Sequence, residues 1–231
     1  MSTEHHQTAQ LPDHLRVEFH CHTVYSKDSL TQPKKLIETC KRKGIDRVVI
    51  TDHNTIEGAL RCQEIDPERV IVGEEIMTTR GEILAAYMTA EIPAGLPPTE
   101  VIERLREQGA FISVSHPFDI HRRGHWAEED LLNILPYVDA IETFNSRCML
   151  PRFNFQAQDF AVKHGILGTY GSDAHAAFEL GRGTLLLPPF EDAGSLKIAL
   201  EDPVVPKIIL GTPFVHFTSR WAVWWKKLRS G

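Results

Sequence analysis

A chain of 231 residues that is 42% hydrophobic can bury one barrel-sized core, and its four scattered cysteines, without a CxxC pair, argue against a disulfide framework or a cysteine-rich zinc knuckle. With 25 Lys and Arg against 31 Asp and Glu, the net charge of -6 gives no broad basic surface for long nucleic acid and suits a small substrate or a nucleic-acid end. The polar start, MSTEHHQTAQLPDH, lacks a charged region followed by an apolar run, and no apolar stretch is long enough to span a bilayer, so the expectation is a cytoplasmic protein with reduced thiols and no stable membrane insertion.

Residues 1–14 are expected to be a mobile segment ahead of an ordered domain over 15–215. A first strand is predicted at 16–20, running into Glu18-Phe19-His20-Cys21-His22-Thr23. Side chains alternate along a strand, so His20 and His22 face one side, where two imidazoles can meet one metal, and Cys21 faces the other. Asp28 follows a turn-like Tyr25-Ser26-Lys27. A helix is predicted over 33–43, with Thr31 as cap, Pro33 in the first turn and Gly44 at the stop. The strand at 47–51 ends in Thr51-Asp52-His53-Asn54, which offers His53 as a ligand and Asp52 as the group that orients a ring or backbone. A strand at 70–72 leads into Gly73-Glu74-Glu75-Ile76, and another is predicted at 83–87.

A helix at 99–108, capped by Thr99 and stopped by Gly109, lines up Val101, Ile102 and Leu105 on one face. The strand at 111–115 ends in His116-Pro117. Helices at 130–135 and 151–164 flank a strand at 140–144, and a strand at 166–170 runs into Gly171-Ser172-Asp173-Ala174-His175, where glycine allows a sharp bend. A last strand is predicted at 184–187. The segment 216–231 carries Trp221, Trp224 and Trp225 followed by Lys226, Lys227 and Arg229, and is expected to be a helix docking its aromatics on the domain; a membrane surface, a partner or single-stranded nucleic acid are alternatives. Each histidine or acid taken alone has an ordinary structural reading. Five strands ending in metal-capable residues do not, because a parallel barrel gathers its strand ends on one rim, where such enzymes place their catalytic groups.

The motifs FHCHT with Asp28, ITDHN, GEEI, SHPFD, IETFN and GSDAH, spanning Val17 to Gly183, resemble those of the PHP superfamily, the polymerase and histidinol phosphatase domain. The resemblance implies a single-domain α/β fold, a distorted (β/α)7 TIM-like barrel, holding two or three divalent metal ions. The implied ligands are His20, His22, Asp28, His53, Glu75, His116, Asp173 and His175, with Glu75 rather than Glu74 matching the family's acid. Asp28 stands where some relatives use histidine. A histidine that longer relatives carry between the GEEI and HP motifs has no counterpart here; Glu82 lies near that place and is either a substitute ligand or, as the favoured reading, a strand-edge acid.

Five imidazoles and three carboxylates exceed what one tetrahedral ion uses, which favours at least two ions sharing a carboxylate, with Glu75 as the candidate bridge. Zinc, manganese and iron all suit such nitrogen and oxygen donors. The expected activity is metal-dependent hydrolysis of a small phosphomonoester such as a nucleotide, by water activated at the metals and with Asp173 or His175 assisting proton transfer. Arg122, Arg123, Arg147 and Arg182 follow rim motifs and are candidates to grip phosphate. The alternatives are an exonuclease acting on oligonucleotide ends and a noncatalytic metal-binding module.

Overall fold

A computed structural model describes residues 14–212 and 214–230, so the mobile segment expected over 1–14 lies, apart from His14, outside the described residues. Eight strands, β1 (Leu15–Glu18), β2 (Arg47–Ile50), β3 (Val70–Met77), β4 (Glu82–Ala86), β5 (Phe111–Val114), β6 (Ala140–Asn145), β7 (Leu167–Gly171) and β8 (Leu185–Leu187), form one sheet in the order β7-β6-β5-β4-β3-β2-β1-β8. The helices are α1 (Pro33–Lys43), α2 (Glu57–Ile65), α3 (Pro98–Glu107), α4 (Glu128–Ile134), α5 (Pro151–His164), α6 (Ala193–Ala199) and α7 (Phe214–Ser230). Beyond the ends of β1 and β7, Cys21 and Ala174 pair in parallel, with the His22 amide donating to the Ala174 carbonyl at 2.9 Å, and this seam nearly closes the sheet into a barrel.

The sheet is mixed, which corrects the expectation of an all-parallel barrel. β1, β2 and β3 run parallel, as do β5, β6 and β7, whereas β4 is antiparallel to both its neighbours and β8 is antiparallel to β1. Residues 78–81 between β3 and β4 are too few for a helical crossover, so the chain turns back on itself. The segment after β4 then climbs to the rim again, where Leu96 accepts from the Thr79 amide at 3.0 Å, before α3 leads down to β5. As a result Glu82, the first residue of β4 and the partner of Met77, sits at the rim that the other strands reach with their C-terminal ends.

Two apolar layers hold the barrel. One lies between strands and helices and includes Leu36, Ile37, Cys40, Val101, Leu105 and Phe160; Cys21 belongs to it. The other includes Val17, Phe19, Val49, Ile71 and Phe111 together with Leu196 and Leu200 around α6, and fills the barrel interior away from the rim. Helix starts differ from the expected ones. Gln32 and Pro97, without side-chain cap bonds, precede α1 and α3, because the prolines at their first positions already fix the helical φ. Thr31 instead donates to the His175 carbonyl at 3.3 Å. Gly44 does end α1 in the left-handed conformation, at φ 62°. Two helices without an anticipated counterpart, α2 and α6, complete the shell; α6 begins with a capping box between Asp192 and Ser195.

Candidate metal centre

Strand ends deliver the candidate ligands to one largely buried cluster at the rim. His20 and His22 follow β1, His53 follows β2, His116 follows β5, and Asp173 and His175 follow β7. Glu75 stands at the middle. Its Oε2 lies 3.3 Å from His20 Nε2, 3.5 Å from His22 Nε2 and 3.0 Å from His53 Nδ1, while its Oε1 lies 3.2 Å from His116 Nε2 and accepts from the Ser115 hydroxyl at 2.7 Å. The Nε2 atoms of His20 and His22 are 3.1 Å apart, as expected for two rings aimed at one point. Asp173 Oδ1 is 3.3 Å from His22 Nε2, and Asp28 Oδ2 reaches both His175 Nε2 at 3.2 Å and His53 Nε2 at 3.4 Å. Glu74, one residue from the central acid, points away and accepts from the Ile92 amide at 3.0 Å.

A surrounding set of polar groups fixes these side chains. Glu142, in β6, places Oε1 3.0 Å from His20 Nδ1 and accepts with Oε2 from the His116 amide at 2.9 Å and from Asn145 Nδ2 at 2.9 Å. Asn145 also donates to Asp173 Oδ2 at 3.1 Å. Asp52 accepts from the Thr23 amide at 2.6 Å and from the Ser26 hydroxyl at 2.8 Å, and Ser26 Oγ in turn accepts from the His53 amide at 2.9 Å and lies 3.2 Å from His22 Nδ1, so Asp52 orients backbone directly and a ring through Ser26. Gly171 is required for close approach, since a Cβ there would lie 2.2 Å from Glu142 Oε1 and 2.5 Å from His20 Cβ. Strained backbone concentrates at the site: Asn54, His116 and Asp173 have φ of 54°, 21° and 49°, in the left-handed region that side chains other than glycine rarely occupy.

The electrostatics fit a cation. Burial works to depress the His20 and His53 pKa values, yet the acids around them, Glu75 foremost, raise both well above the ordinary imidazole value. Burial, with His175 and His53 nearby, lowers His22 to about 3. Burial opposes charge on Glu75, Asp173 and Asp28, but the neighbouring imidazoles, and for Asp173 also Arg122, hold all three well below the carboxylate range. Carboxylates gathered in a buried site call for positive charge beside them. Divalent ions would supply it with the same atoms as ligands. Asp28 Oδ1 and Asp173 Oδ1 are buried without a hydrogen-bond partner, as unused ligand atoms would be. Three overlapping groups have ligand atoms within 4.8 Å of one another: His22 with His53 and His175, His20 with His22 and Glu75, and His53 with Glu75 and Glu82.

All eight sequence-derived candidate ligands therefore converge, and Glu82 lies among them, the placement expected of a substitute ligand rather than of a strand-edge acid. Its oxygens lie 3.7 Å from His53 Nδ1 and 3.5 Å from His116 Nε2. The reversal of β4 brings it there. Glu142 has no role in the sequence reading, although it lies within the IETFN motif; an acid inside a strand that is buried along its whole length is the signal that could have found it. The four arginines separate. Arg122 reaches the site, where its guanidinium pairs with Asp173. Arg147 does not: it is buried against Glu179 at 3.2 Å and donates to the Val215 carbonyl at 2.8 Å and the Ser219 hydroxyl at 2.7 Å, so it anchors α7 and has no room for phosphate. Arg123 is exposed, and Arg182 lies over the Phe178 ring at 5.4 Å.

A barrel whose rim carries this histidine and carboxylate set defines a metal-binding α/β enzyme class, and comparison with known proteins agrees. Residues 18–93 match the PHP domain family and residues 151–196 match the PHP-associated family. An uncharacterized protein of Methanocaldococcus jannaschii is 37% identical over 200 residues, covering 85% of this chain and 78% of its own. Among solved structures, a two-domain protein of Bacteroides vulgatus containing a predicted PHP-like metal-dependent phosphoesterase superposes with a TM-score of 0.68 at 19% identity, covering 92% of this chain and 72% of that one. A lesion-specific endonuclease of Pyrococcus furiosus superposes with a TM-score of 0.54 at 14% identity, over 83% of this chain and 57% of that one. The chain belongs to the PHP family of metal-dependent phosphoesterases, which makes it a hydrolase.

Proposed function

We propose that this enzyme hydrolyses small phosphomonoesters, nucleotides foremost, with two or three divalent ions held among His20, His22, Asp28, His53, Glu75, Glu82, His116, Asp173 and His175. The observation that carries the reading is the convergence of five imidazoles and four carboxylates on one pocket, with the Arg122 guanidinium at its edge. Zinc, manganese or iron, when bound, supplies the Lewis acidity that activates water and offsets phosphate charge. Glu75 suits a shared position, because its two oxygens face different imidazoles. His175 Nδ1 stands 2.9 Å from the Asp173 carbonyl, which leaves Nε2 with its lone pair toward the pocket. Asp173, held by Arg122 and by Asn145 at 3.1 Å, is placed with His175 to take part in proton transfer at the reacting water or the leaving group. Arg122 supplies the donor for nonbridging phosphate oxygens, a role in which its planar fork suits phosphate geometry.

The catalytic unit in this reading is residues 15–215, flanked by the aromatic and basic segment 216–231. No helix among the described residues is long and apolar enough to cross a membrane. The test is a phosphate-release screen with zinc, manganese and iron. Nucleoside monophosphates, bisphosphates, sugar phosphates and histidinol phosphate are run beside an end-labelled oligonucleotide. Release from nucleotides, abolished by His22→Ala and by His53→Ala, is expected. Efficient cutting of the oligonucleotide with every monoester inert would overturn the monoesterase reading in favour of an exonuclease. Activity unchanged in both variants would leave a structural metal site.

A further inference from the structure

Helix α7 forms one wall of a cavity that shares His175 with the candidate metal centre. The cavity, of about 250 Å³, is lined by Leu30, His175, Ala176, Phe217, Trp221 and Ala222, with Thr218 at its side. His175 belongs to both places: its Nε2 faces Asp28 at 3.2 Å, and the residue also lines the cavity. Thr218 is already engaged, since its hydroxyl donates to the Val215 carbonyl at 2.7 Å. The remaining walls are apolar or aromatic, so the cavity offers rings and methyl groups and hardly any hydrogen-bonding edge.

The wall is held in place before any ligand arrives. Near the start of α7, Arg147 binds the Val215 carbonyl and Ser219; near its end, Lys226 Nζ donates to the Val24 carbonyl at 2.6 Å and to the Ser26 carbonyl, in the loop between His22 and Asp28. Trp221 is further ordered by Trp224, 4.8 Å away between ring centroids, and lies 6.4 Å from Trp225 in a stacked arrangement. A fixed aromatic wall loses little freedom on binding, which favours a flat partner of matching chemistry.

We infer that this cavity is a subsite for the planar aromatic group of the leaving alcohol, a nucleobase in a nucleoside monophosphate, stacked against the Trp221 face of α7 while its phosphate occupies the metal centre. The inference rests on the phosphomonoesterase reading above and adds the determinant of substrate choice. Stacking acts on any base because each has a π face, and a cavity poor in donors and acceptors does not read base edges. The enzyme therefore prefers nucleotides over sugar phosphates while discriminating weakly among the bases.

The test compares kcat/KM of the metal-loaded enzyme for the four common nucleoside 5′-monophosphates with that for ribose 5-phosphate. The expected preference for nucleotides is about tenfold or more, the scale of stacking one base on one aromatic ring. Trp221→Ala is expected to reduce that preference about tenfold, mainly through KM, and Trp221→Phe to restore most of it. Ala176→Leu fills the cavity from the barrel side without touching α7 and is expected to reduce the preference likewise. Leu228→Ala, on the same helix but outside the cavity, is expected to retain it. A wild-type enzyme without the preference, or a preference unchanged in both Trp221→Ala and Ala176→Leu, would overturn the subsite. If no monoester is turned over at all, the underlying reading falls separately, and quenching of tryptophan fluorescence by adenosine still decides the cavity: quenching that Ala176→Leu abolishes supports it, and no quenching overturns it.

Discussion

Glu142 Oε1 stands 3.0 Å from His20 Nδ1, and this contact sets which nitrogen of His20 faces the candidate metal centre. With Nδ1–H donated to the carboxylate, the Nε2 lone pair would be left for a metal ion bound between it and Glu75. Through its other oxygen the same carboxylate holds the His116 amide at 2.9 Å, so one side chain orients two candidate ligands. Glu142→Gln is expected to weaken metal binding by about 10- to 100-fold, the range for groups that orient metal-bound imidazole. Competition with a chromophoric chelator would measure it. An unchanged affinity would mean that the strand geometry alone orients the rings.

Glu82 depends on a glycine elsewhere in the chain. A Cβ at position 124 would lie 1.9 Å from Glu82 Oε2, so Gly124→Ala is expected to push the carboxylate away from His53 and His116. Both Gly124→Ala and Glu82→Gln should then show the same loss of bound metal, by elemental analysis of purified protein. Full occupancy in both would return Glu82 to the role of a bystander.

Metal content itself is expected to be two or three ions per chain, because the ligand groups overlap at His22, His53 and Glu75 and outnumber one ion's needs. Chelation should lower the unfolding temperature, and restoring metal at about 100 times its Kd should return about 2.7 kcal/mol of stability. One ion per chain at full activity would rule out the multinuclear arrangement.

Asp139 gives a pH dependence remote from the metals. Burial works against its charge, but Arg106, the Ile112 amide and Lys197 outweigh it and hold the carboxyl below its ordinary value. Arg106 contacts both oxygens, at 2.8 and 3.0 Å. A depressed folded-state pKa contributes stability that is complete above the unfolded value of about 3.9 and is lost as pH falls through the folded value. Asp139→Asn is therefore expected to cost about 1–2 kcal/mol at neutral pH, with the gap from wild type closing in acid below about pH 4. Urea denaturation at several pH values would check it; a gap independent of pH would assign the loss to packing.

The candidate ligands were legible in the sequence because polar residues directly follow apolar strand runs, at His20 and His22, His53, His116, Asp173 and His175. Glu82 was not, since an acid at the start of a strand reads as edge polarity until the direction of that strand is known. That direction follows from the four-residue link before β4 and the long return after it, a tertiary matter. Arg147 misled for the opposite reason: its buried partner, Glu179, lies 32 residues away in sequence and follows a different strand. Thr31 and Thr99 read as caps by residue type, whereas Pro33 and Pro98 set the actual helix starts.

The seam between Cys21 and Ala174 also makes the order of assembly consequential. It joins segments some 150 residues apart, with His20 and His22 on one side and Asp173 and His175 on the other. Contacts of such long sequence separation form late and slowly, since a large loop must close before they stabilise anything. An unclosed chain thus keeps His20 and His22, after the first strand, apart from Asp173 and His175, after the seventh. The affinity that comes from their convergence arises only when the barrel shuts. Metal capture and ring closure are then one cooperative event, and amide exchange at His22 and Ala174, whose backbone hydrogen bonds cross the seam, becomes a direct gauge of occupancy.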